Sequence, residues 1–175
     1  MVLVLRKAPV LRNTRSSSCR AMTQYFLDSS ALIKRYIVEP GTTWVRSLTT
    51  RSSGNTVIIA QITQIEIVSG AARRVREGTL TMRIARAVRL LIDRHARREY
   101  VVLGLTQQVV RRAEDLLTVH PLRTYDAVQL ASALESNTRL LAVGLSPLRF
   151  VSADARLLVA AAAEGLMTED PQAHP

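Results

Sequence analysis

The sequence predicts an α/β fold, in which a short parallel sheet of about four to five strands carries helices on both faces. Three observations lead to this prediction. Short apolar or β-branched runs alternate with longer segments of helical periodicity, as in sheets whose strands are joined by crossover helices. The chain has 175 residues, enough for one domain with its own core. Hydrophobic residues make up 47% of the chain, which excludes wholesale disorder.

The predicted strands are short apolar runs bounded by turn residues or by acids. In chain order they are residues 25–27, 56–60, 100–103, 149–152 and 166–168. The first run ends at Asp28, and Asp154 follows the fourth. Because functional sites of open parallel sheets lie outside the carboxyl ends of the strands, both aspartates are expected at such a site.

The segments between the strands place apolar residues on one stripe at helical spacing. They predict helices over residues 29–38, 42–50, 63–76, 79–98, 106–119, 123–136 and 154–163. Glu39-Pro40-Gly41 ends the first of these helices, and Pro121 separates the fifth from the sixth. Most arginines of the third and fourth helices are expected on the outer faces, so this side of the domain should be basic.

Charge and composition narrow the classes of function. A net charge of +10 suits a polyanionic partner, first nucleic acid, then an acidic protein, then a membrane surface. GC-rich codon usage would also favour arginine over lysine, but it explains the net charge less well. No run reaches the ~18 apolar residues of a membrane-spanning helix. We therefore expect a cytoplasmic protein that does not bind membranes. The single cysteine, Cys19, excludes a disulfide framework and a multi-cysteine zinc site.

The first 21 residues differ from the rest of the chain. They hold five bases, no acid and the cluster Ser16-Ser17-Ser18. They are interpreted as a basic arm that touches nucleic acid, as a transit peptide, or as sequence upstream of a true start at Met22, which is the favoured alternative because folded patterning begins there. The expected organisation is a basic extension, 1–21, disordered or untranslated, then a folded domain, 22–168, and a flexible tail, 169–175.

Four acids stand out because each lies at a strand end or near a helix start within apolar sequence. They are Asp28, Glu66, Asp126 and Asp154. A single acid in such a place is most simply a helix cap, worth about 0.3–1 kcal/mol. Four carboxylates brought to one edge would repel one another and raise their own pKa values unless a cation neutralised them.

The donor set favours a hard cation. Oxygen ligands with few histidines suit Mg²⁺ or Mn²⁺, whereas zinc is disfavoured because the three histidines are not spaced as ligands. An acidic metal site within a strongly basic chain is the arrangement that phosphodiester hydrolysis needs, since arginines hold phosphates while the metal activates water.

Four segments resemble the motifs of PIN-domain nucleases of the VapC toxin type, in the order that the family has. They are residues 27–41, 62–66, 122–127 and 150–154, and the resemblance covers about residues 23–168. It implies a PIN-like three-layer α/β sandwich, usually a homodimer, that cleaves RNA with Mg²⁺ or Mn²⁺ and is blocked by a cognate antitoxin. The basic extension and the arginine-rich surface depart from the family's pattern.

The resemblance also implies roles for individual residues. Asp28, Glu66, Asp126 and Asp154 carry over as metal-binding and catalytic groups, and Ser152 as a polar group that orients the cluster. Six further residues have other interpretations. Ser29 fits the capping of the first helix at least as well as a role in the site, while Lys34 and Arg35 are expected in solvent. For Arg123, pairing with Asp126 and binding of RNA are held equal, and His95 and His120 are expected to be ordinary surface histidines.

Two other functions are weighed against the ribonuclease. A catalytically inactive RNA- or partner-binding module on the same fold predicts a gap in the set of acids, and the sequence has none. A metal-dependent phosphohydrolase acting on a small molecule predicts a less basic surface. The hypothesis is therefore a metal-dependent endoribonuclease, the toxin of a toxin–antitoxin pair.

Overall fold

The computed structural model describes residues 22–174 and contains one parallel sheet of five strands. The strands are β1 Gln24–Leu27, β2 Thr56–Ala60, β3 Tyr100–Leu103, β4 Arg149–Val151 and β5 Met167–Glu169. Their order across the sheet is β3-β2-β1-β4-β5, and every neighbouring pair is parallel. β1 therefore lies at the centre of the sheet, between the second and fourth strands of the chain.

Seven α-helices occur within residues 22–174. They are α1 Ser29–Leu32, α2 Thr42–Thr49, α3 Gln61–Arg76, α4 Met82–Arg98, α5 Gln107–Val119, α6 Thr124–Ala142 and α7 Ala155–Ala163. Short 3₁₀ turns lie at Ile33–Arg35, Arg51–Ser53 and Pro171–Ala173. None of the helices in this described part combines the length and the apolar character that crossing a membrane requires.

Side chains of the central strands alternate between two cores, because successive residues of a strand point to opposite faces. Phe26 and Ile58 pack with buried residues of α5, α6 and α7 on one face. Leu27 and Ile59 pack with buried residues of α1 to α4 on the other. Helices thus cover both faces of the sheet, and the predicted three-layer sandwich is confirmed.

The register of the strands determines which residues meet at the carboxyl edge. Leu27, the last residue of β1, pairs with Val151, the last residue of β4. The residue that follows β1, Asp28, donates its backbone N–H to the carbonyl of Val151 at 3.1 Å. Asp28 and Ser152 therefore follow neighbouring strands at the same level, which is the basis of the candidate site.

The first and sixth helices differ in length from the prediction. The first helix ends at Leu32 and is followed by a 3₁₀ turn, in which Lys34 is buried and pairs with Glu39 at 3.0 Å. α6 runs to Ala142 instead of ending at residue 136. Its polar stretch lies within the helix, where the Thr138 hydroxyl donates to the carbonyl four residues earlier.

The segment expected to be a flexible tail packs against the domain as far as residue 174. Its first residue, Glu169, ends β5, and Pro171 is buried against Gly41. The ring of His174 stacks on Trp44 with their centroids 4.2 Å apart. These contacts bury apolar surface. The segment therefore packs against the domain, although its sequence shows no helical or strand periodicity. The predicted extension, residues 1–21, lies outside the described residues.

Candidate active site

Asp28 is a buried carboxylate, 3% exposed, held by three hydrogen-bond donors. Its Oδ1 accepts the backbone N–H of Ala31 at 2.8 Å, which makes Asp28 the N-cap of α1. The Ser30 hydroxyl lies 2.9 Å from both carboxylate oxygens, and the Ser152 hydroxyl donates to Oδ2 at 2.8 Å. Both oxygens are thus fixed in direction by the loops that follow β1 and β4.

Burial dominates the electrostatics of Asp28. Loss of hydration raises the pKa of this carboxyl to about 7, although the hydrogen bonds from Ala31, Ser152 and Ser30 oppose the shift. The negative charge of Glu66 raises the pKa further. A cation that approached Asp28 would stabilise the ionised form of this carboxyl and would therefore bind favourably beside it.

Glu66 lies in the second turn of α3 and faces α6. Its Oε2 accepts a hydrogen bond of 2.5 Å from Nε2 of Gln129. Burial raises the pKa of Glu66, as does the charge of Asp126, while hydrogen bonds from Gln129 and Ser29 lower it. Ser29 therefore contacts the site, and the capping of α1 that was its alternative role belongs to Asp28.

Asp126 lies in the first turn of α6 and is half-buried. Burial raises the pKa of its carboxyl, and the negative charge of Asp154 adds to that shift. A backbone hydrogen bond at Arg123 and the charges of Arg123 and Arg156 lower it. Arg123 is therefore close enough to influence Asp126, and two arginines border the acidic edge.

Asp154 caps α7 as well as facing the site. Its Oδ1 accepts the backbone N–H groups of Arg156 at 2.9 Å and Leu157 at 3.3 Å. Its own N–H donates to the Ser152 hydroxyl at 3.0 Å, and the preceding N–H, of Ala153, donates to Ser30 at 2.8 Å. Asp154 is thus both the N-cap of α7 and a member of the candidate site.

The four carboxylates form a row of neighbouring charges. Asp28 interacts with Glu66, Glu66 with Asp126, and Asp126 with Asp154. Among residues 22–174, however, no three acidic, histidine or cysteine side chains are close enough together to hold a metal ion. The chemistry of the donors fits a hard divalent cation, since they are oxygens whose charged forms repel one another. Their arrangement is an open row along the edge of the sheet.

Sequence reasoning missed three polar residues of this site. Ser30 bonds to Asp28, and Gln129 and Thr63 form a buried pair beside Glu66. The available signal for Gln129 was a lone polar residue in the apolar run Ala127-Val128-Gln129-Leu130-Ala131.

Two cationic side chains and two histidines also differ from expectation, since Nδ1 of the half-buried His95 lies 3.1 Å from the Tyr36 hydroxyl. Lys34 is 3% exposed rather than solvated, and Arg35 pairs with Glu99 at 2.7 Å. His120 contacts Glu164 at 2.9 Å instead of standing free at the surface. These groups make structural contacts away from the four acids, so they do not add to the candidate site.

Comparisons with known proteins agree with this geometry. A family model described as PIN domain matches residues 25–164. The chain is 33% identical over 152 residues to Ribonuclease VapC47 of Mycobacterium tuberculosis, covering 85% of this chain and 97% of that protein.

Solved structures share the fold at low identity. FitAcB from Neisseria gonorrhoeae superposes with a TM-score of 0.60 at 15% identity, over 86% of this chain and 99% of that one. A toxin–antitoxin complex from Klebsiella pneumoniae superposes with a TM-score of 0.54 at 17% identity, over 84% and 97%. The resemblance noted in the sequence is confirmed, and the chain belongs to the PIN-domain family, in its VapC type.

Proposed function

We propose that this chain is a metal-dependent endoribonuclease that hydrolyses phosphodiester bonds of RNA, and that it is the toxin of a toxin–antitoxin pair. The observation that carries the proposal is the buried carboxylate of Asp28, which is held by Ser30 and Ser152 at the head of a row of acids. Capping α1 does not by itself require a carboxyl that is buried and whose pKa burial raises to about 7. The 33% identity to a named ribonuclease supports the same reaction.

The proposed ligands of the metal are Asp28, Glu66, Asp126 and Asp154, of which no three lie close enough together in this structure to hold an ion. When bound, Mg²⁺ or Mn²⁺ lowers the pKa of water and stabilises negative charge on the phosphate. The chain's own residues prepare the site for this chemistry. Ser152 and Ser30 keep the Asp28 oxygens in place, and desolvation makes the row of carboxylates a strong attractor for a cation.

Binding of RNA is assigned to the arginines at the acidic edge. Arg123 and Arg156 both influence Asp126, and Arg156 Nε lies 3.9 Å from Asp154 Oδ1 with most of its side chain in solvent. A phosphodiester that lay across the row would meet a positive charge at this border. The net charge of +10 would add long-range attraction to the same substrate.

A cognate antitoxin is the proposed protein partner. A groove of about 790 Å³ lies between α3 and α4, where Ile65 and Leu90 are 69% and 72% exposed. Arg86, Arg89 and Arg97 line the same groove. An acidic segment with an apolar face would match both properties, and the toxin–antitoxin complex with the same fold supports an antitoxin as the partner. Like the family it resembles, the chain is proposed to act as a homodimer.

The test is cleavage of RNA by the purified protein. We expect cleavage with Mg²⁺ or Mn²⁺, none with a chelator, and none for Asp28→Asn. The matched control is Asp93→Asn, because Asp93 is an exposed acid that pairs with Arg97 on α4. Equal cleavage by the Asp28 variant would overturn the assignment. RNA binding without any cleavage would favour the inactive binding module instead.

A further inference from the structure

A buried amide joins the two helices that carry Glu66 and Asp126. Gln129 of α6 is 1% exposed. Its Nε2 donates to Glu66 Oε2 at 2.5 Å and to Thr63 Oγ1 at 2.9 Å. Its Oε1 accepts from the Thr63 hydroxyl, 3.1 Å away, and Thr63 is fully buried. We propose that Gln129 is a positioning residue for Glu66 and that Thr63 anchors its amide in place, an inference that rests on the proposed function.

The spacing of these residues ties the acids together. Thr63 and Glu66 are three residues apart on α3, and Asp126 and Gln129 are three apart on α6. Residues at this spacing lie on the same face of a helix. The hydrogen bonds between Gln129 and α3 therefore hold the faces that carry the two acids at a fixed separation.

Burying a polar side chain at position 129 costs desolvation free energy that an apolar side chain would not cost. The neighbouring buried residues of α6 include Ala127, Leu130 and Ala131, so a leucine here would extend the core. Burying an amide is tolerated only when it is hydrogen-bonded. Within residues 22–174 every buried side-chain polar atom has a partner, so the Gln129 network is complete. The amide is used to hold Glu66, a group that an apolar side chain could not hold.

The direction of the amide follows from the chemistry of Glu66. An ionised carboxylate only accepts hydrogen bonds, so Nε2 must face Glu66. The Thr63 hydroxyl lies within hydrogen-bond distance of both Oε1 and Nε2, so it anchors the amide beside Glu66. Glutamate has several rotatable bonds, and anchoring one of its oxygens keeps the carboxylate in the row between Asp28 and Asp126.

The experiment uses Gln129→Met, which keeps the volume and removes the donor, and Thr63→Val, which removes the hydroxyl. Ser132→Ala is the matched control, because Ser132 is also buried on α6 but bonds only to the Val128 carbonyl. The full chain of each variant is titrated with Mn²⁺ in a calorimeter without RNA, and its cleavage kinetics and melting temperature are measured separately.

We expect Gln129→Met to weaken Mn²⁺ binding by about 10- to 100-fold and to lower kcat with little change in KM, as is usual when the partner of a ligand is removed. Thr63→Val should weaken Mn²⁺ binding less. Gln129→His keeps an N–H donor and should recover part of the loss. It also serves as the second variant if Gln129→Met does not fold. Ser132→Ala should match the wild type.

A double mutant separates positioning from general packing. If Gln129 acts through Glu66, Gln129→Met should cause no further loss of Mn²⁺ affinity in a Glu66→Gln background. A further loss there, or unchanged Mn²⁺ affinity in Gln129→Met alone, would overturn the inference. Absence of RNA cleavage by the wild-type protein would instead overturn the proposed function, and the Mn²⁺ titrations would still decide the role of Gln129.

Discussion

The hydroxyl of Ser152 donates a hydrogen bond of 2.8 Å to Oδ2 of Asp28, across 124 residues of sequence. The contact exists because β1 and β4 are neighbours and end at the same level. The same oxygen of Ser152 accepts the N–H of Asp154 at 3.0 Å. One buried serine therefore fixes the first and last acids of the row relative to each other, which agrees with the orienting role that the resemblance implies for it.

The first prediction is that Asp28→Asn abolishes RNA cleavage and stabilises the metal-free protein. The variant removes a charge that is expensive to bury and that Glu66 repels. At pH 8 with a chelator present, the gain in free energy of unfolding should be on the order of 1–4 kcal/mol, since one pKa unit corresponds to about 1.4 kcal/mol. Chemical denaturation measures the gain, with Asp93→Asn as the control. A variant less stable than wild type would contradict the prediction.

The second prediction concerns the pH dependence of the metal-free wild type. Burial raises the pKa of Asp28 from its ordinary value of 3.8 to about 7, so between these pH values the folded chain binds a proton that the unfolded chain does not. The contribution of this carboxyl to the free energy of unfolding is fully present below about pH 4, and it is lost as the pH rises through about 7. Between pH 5 and pH 8 the free energy of unfolding of Asp28→Asn should increase relative to that of the wild type by about 2–3 kcal/mol. A constant difference between the two proteins would count against it.

The third prediction uses two glycines that both have a positive φ. A Cβ at Gly41, φ 85°, would lie 2.2 Å from the carbonyl oxygen of Pro171, whereas a Cβ at Gly78, φ 72°, would meet nothing within 4 Å. Gly78→Ala should cost about 1–2 kcal/mol from backbone strain alone. Gly41→Ala should cost clearly more, because it also displaces the segment around Pro171. Equal melting temperatures for the two variants would show that this segment adds no stability.

The fourth prediction is that residues 1–21 are dispensable for folding. They contain no periodic apolar face, although they carry five bases and no acid. A protein that begins at Met22 should keep the melting temperature of the full chain within error. A loss of several degrees would show that the extension packs on the domain.

The fifth prediction is that the partner and the metal compete for the acids. An arginine of the partner would match the carboxylates bidentately, and the basic faces of α3 and α4 would speed association with an acidic chain by up to about 10–10³-fold. Calorimetric titration of Mn²⁺ should therefore give weaker binding to the complex than to the free protein. Equal affinities would leave steric blocking as the only means of inhibition.

The sequence could place the acids because their positions depend on local pattern. Asp28 and Asp154 follow predicted strands, and Glu66 and Asp126 lie near predicted helix starts, so the topology of a parallel sheet brings them to one edge. Gln129 could not be assigned in this way. Its partners are 63 and 66 residues away, and only the packing of α3 against α6 brings them into contact.

Lys34 was misjudged for a related reason. Helical periodicity through residues 29–38 puts a lysine at the surface, but the chain bends after α1 and buries it beside Glu39. An ion pair formed across a bend compensates the buried charge, and sequence periodicity carries no information about such a pair.

The length of α6 was misjudged because Ser136-Asn137-Thr138 has the composition of a helix stop, whereas hydroxyls in a helix can bond to its own carbonyls.

The central position of β1 has a consequence for the timing of synthesis. Asp28 leaves the ribosome early, but its donor Ser152 follows 124 residues later, a delay of roughly 6–25 s at about 5–20 residues per second. Until then β1 can pair with β2 alone, and Asp154 has not been made. A growing chain therefore holds no complete row of acids. We expect that a nascent chain does not cleave the mRNA that encodes it until β4 has joined the sheet.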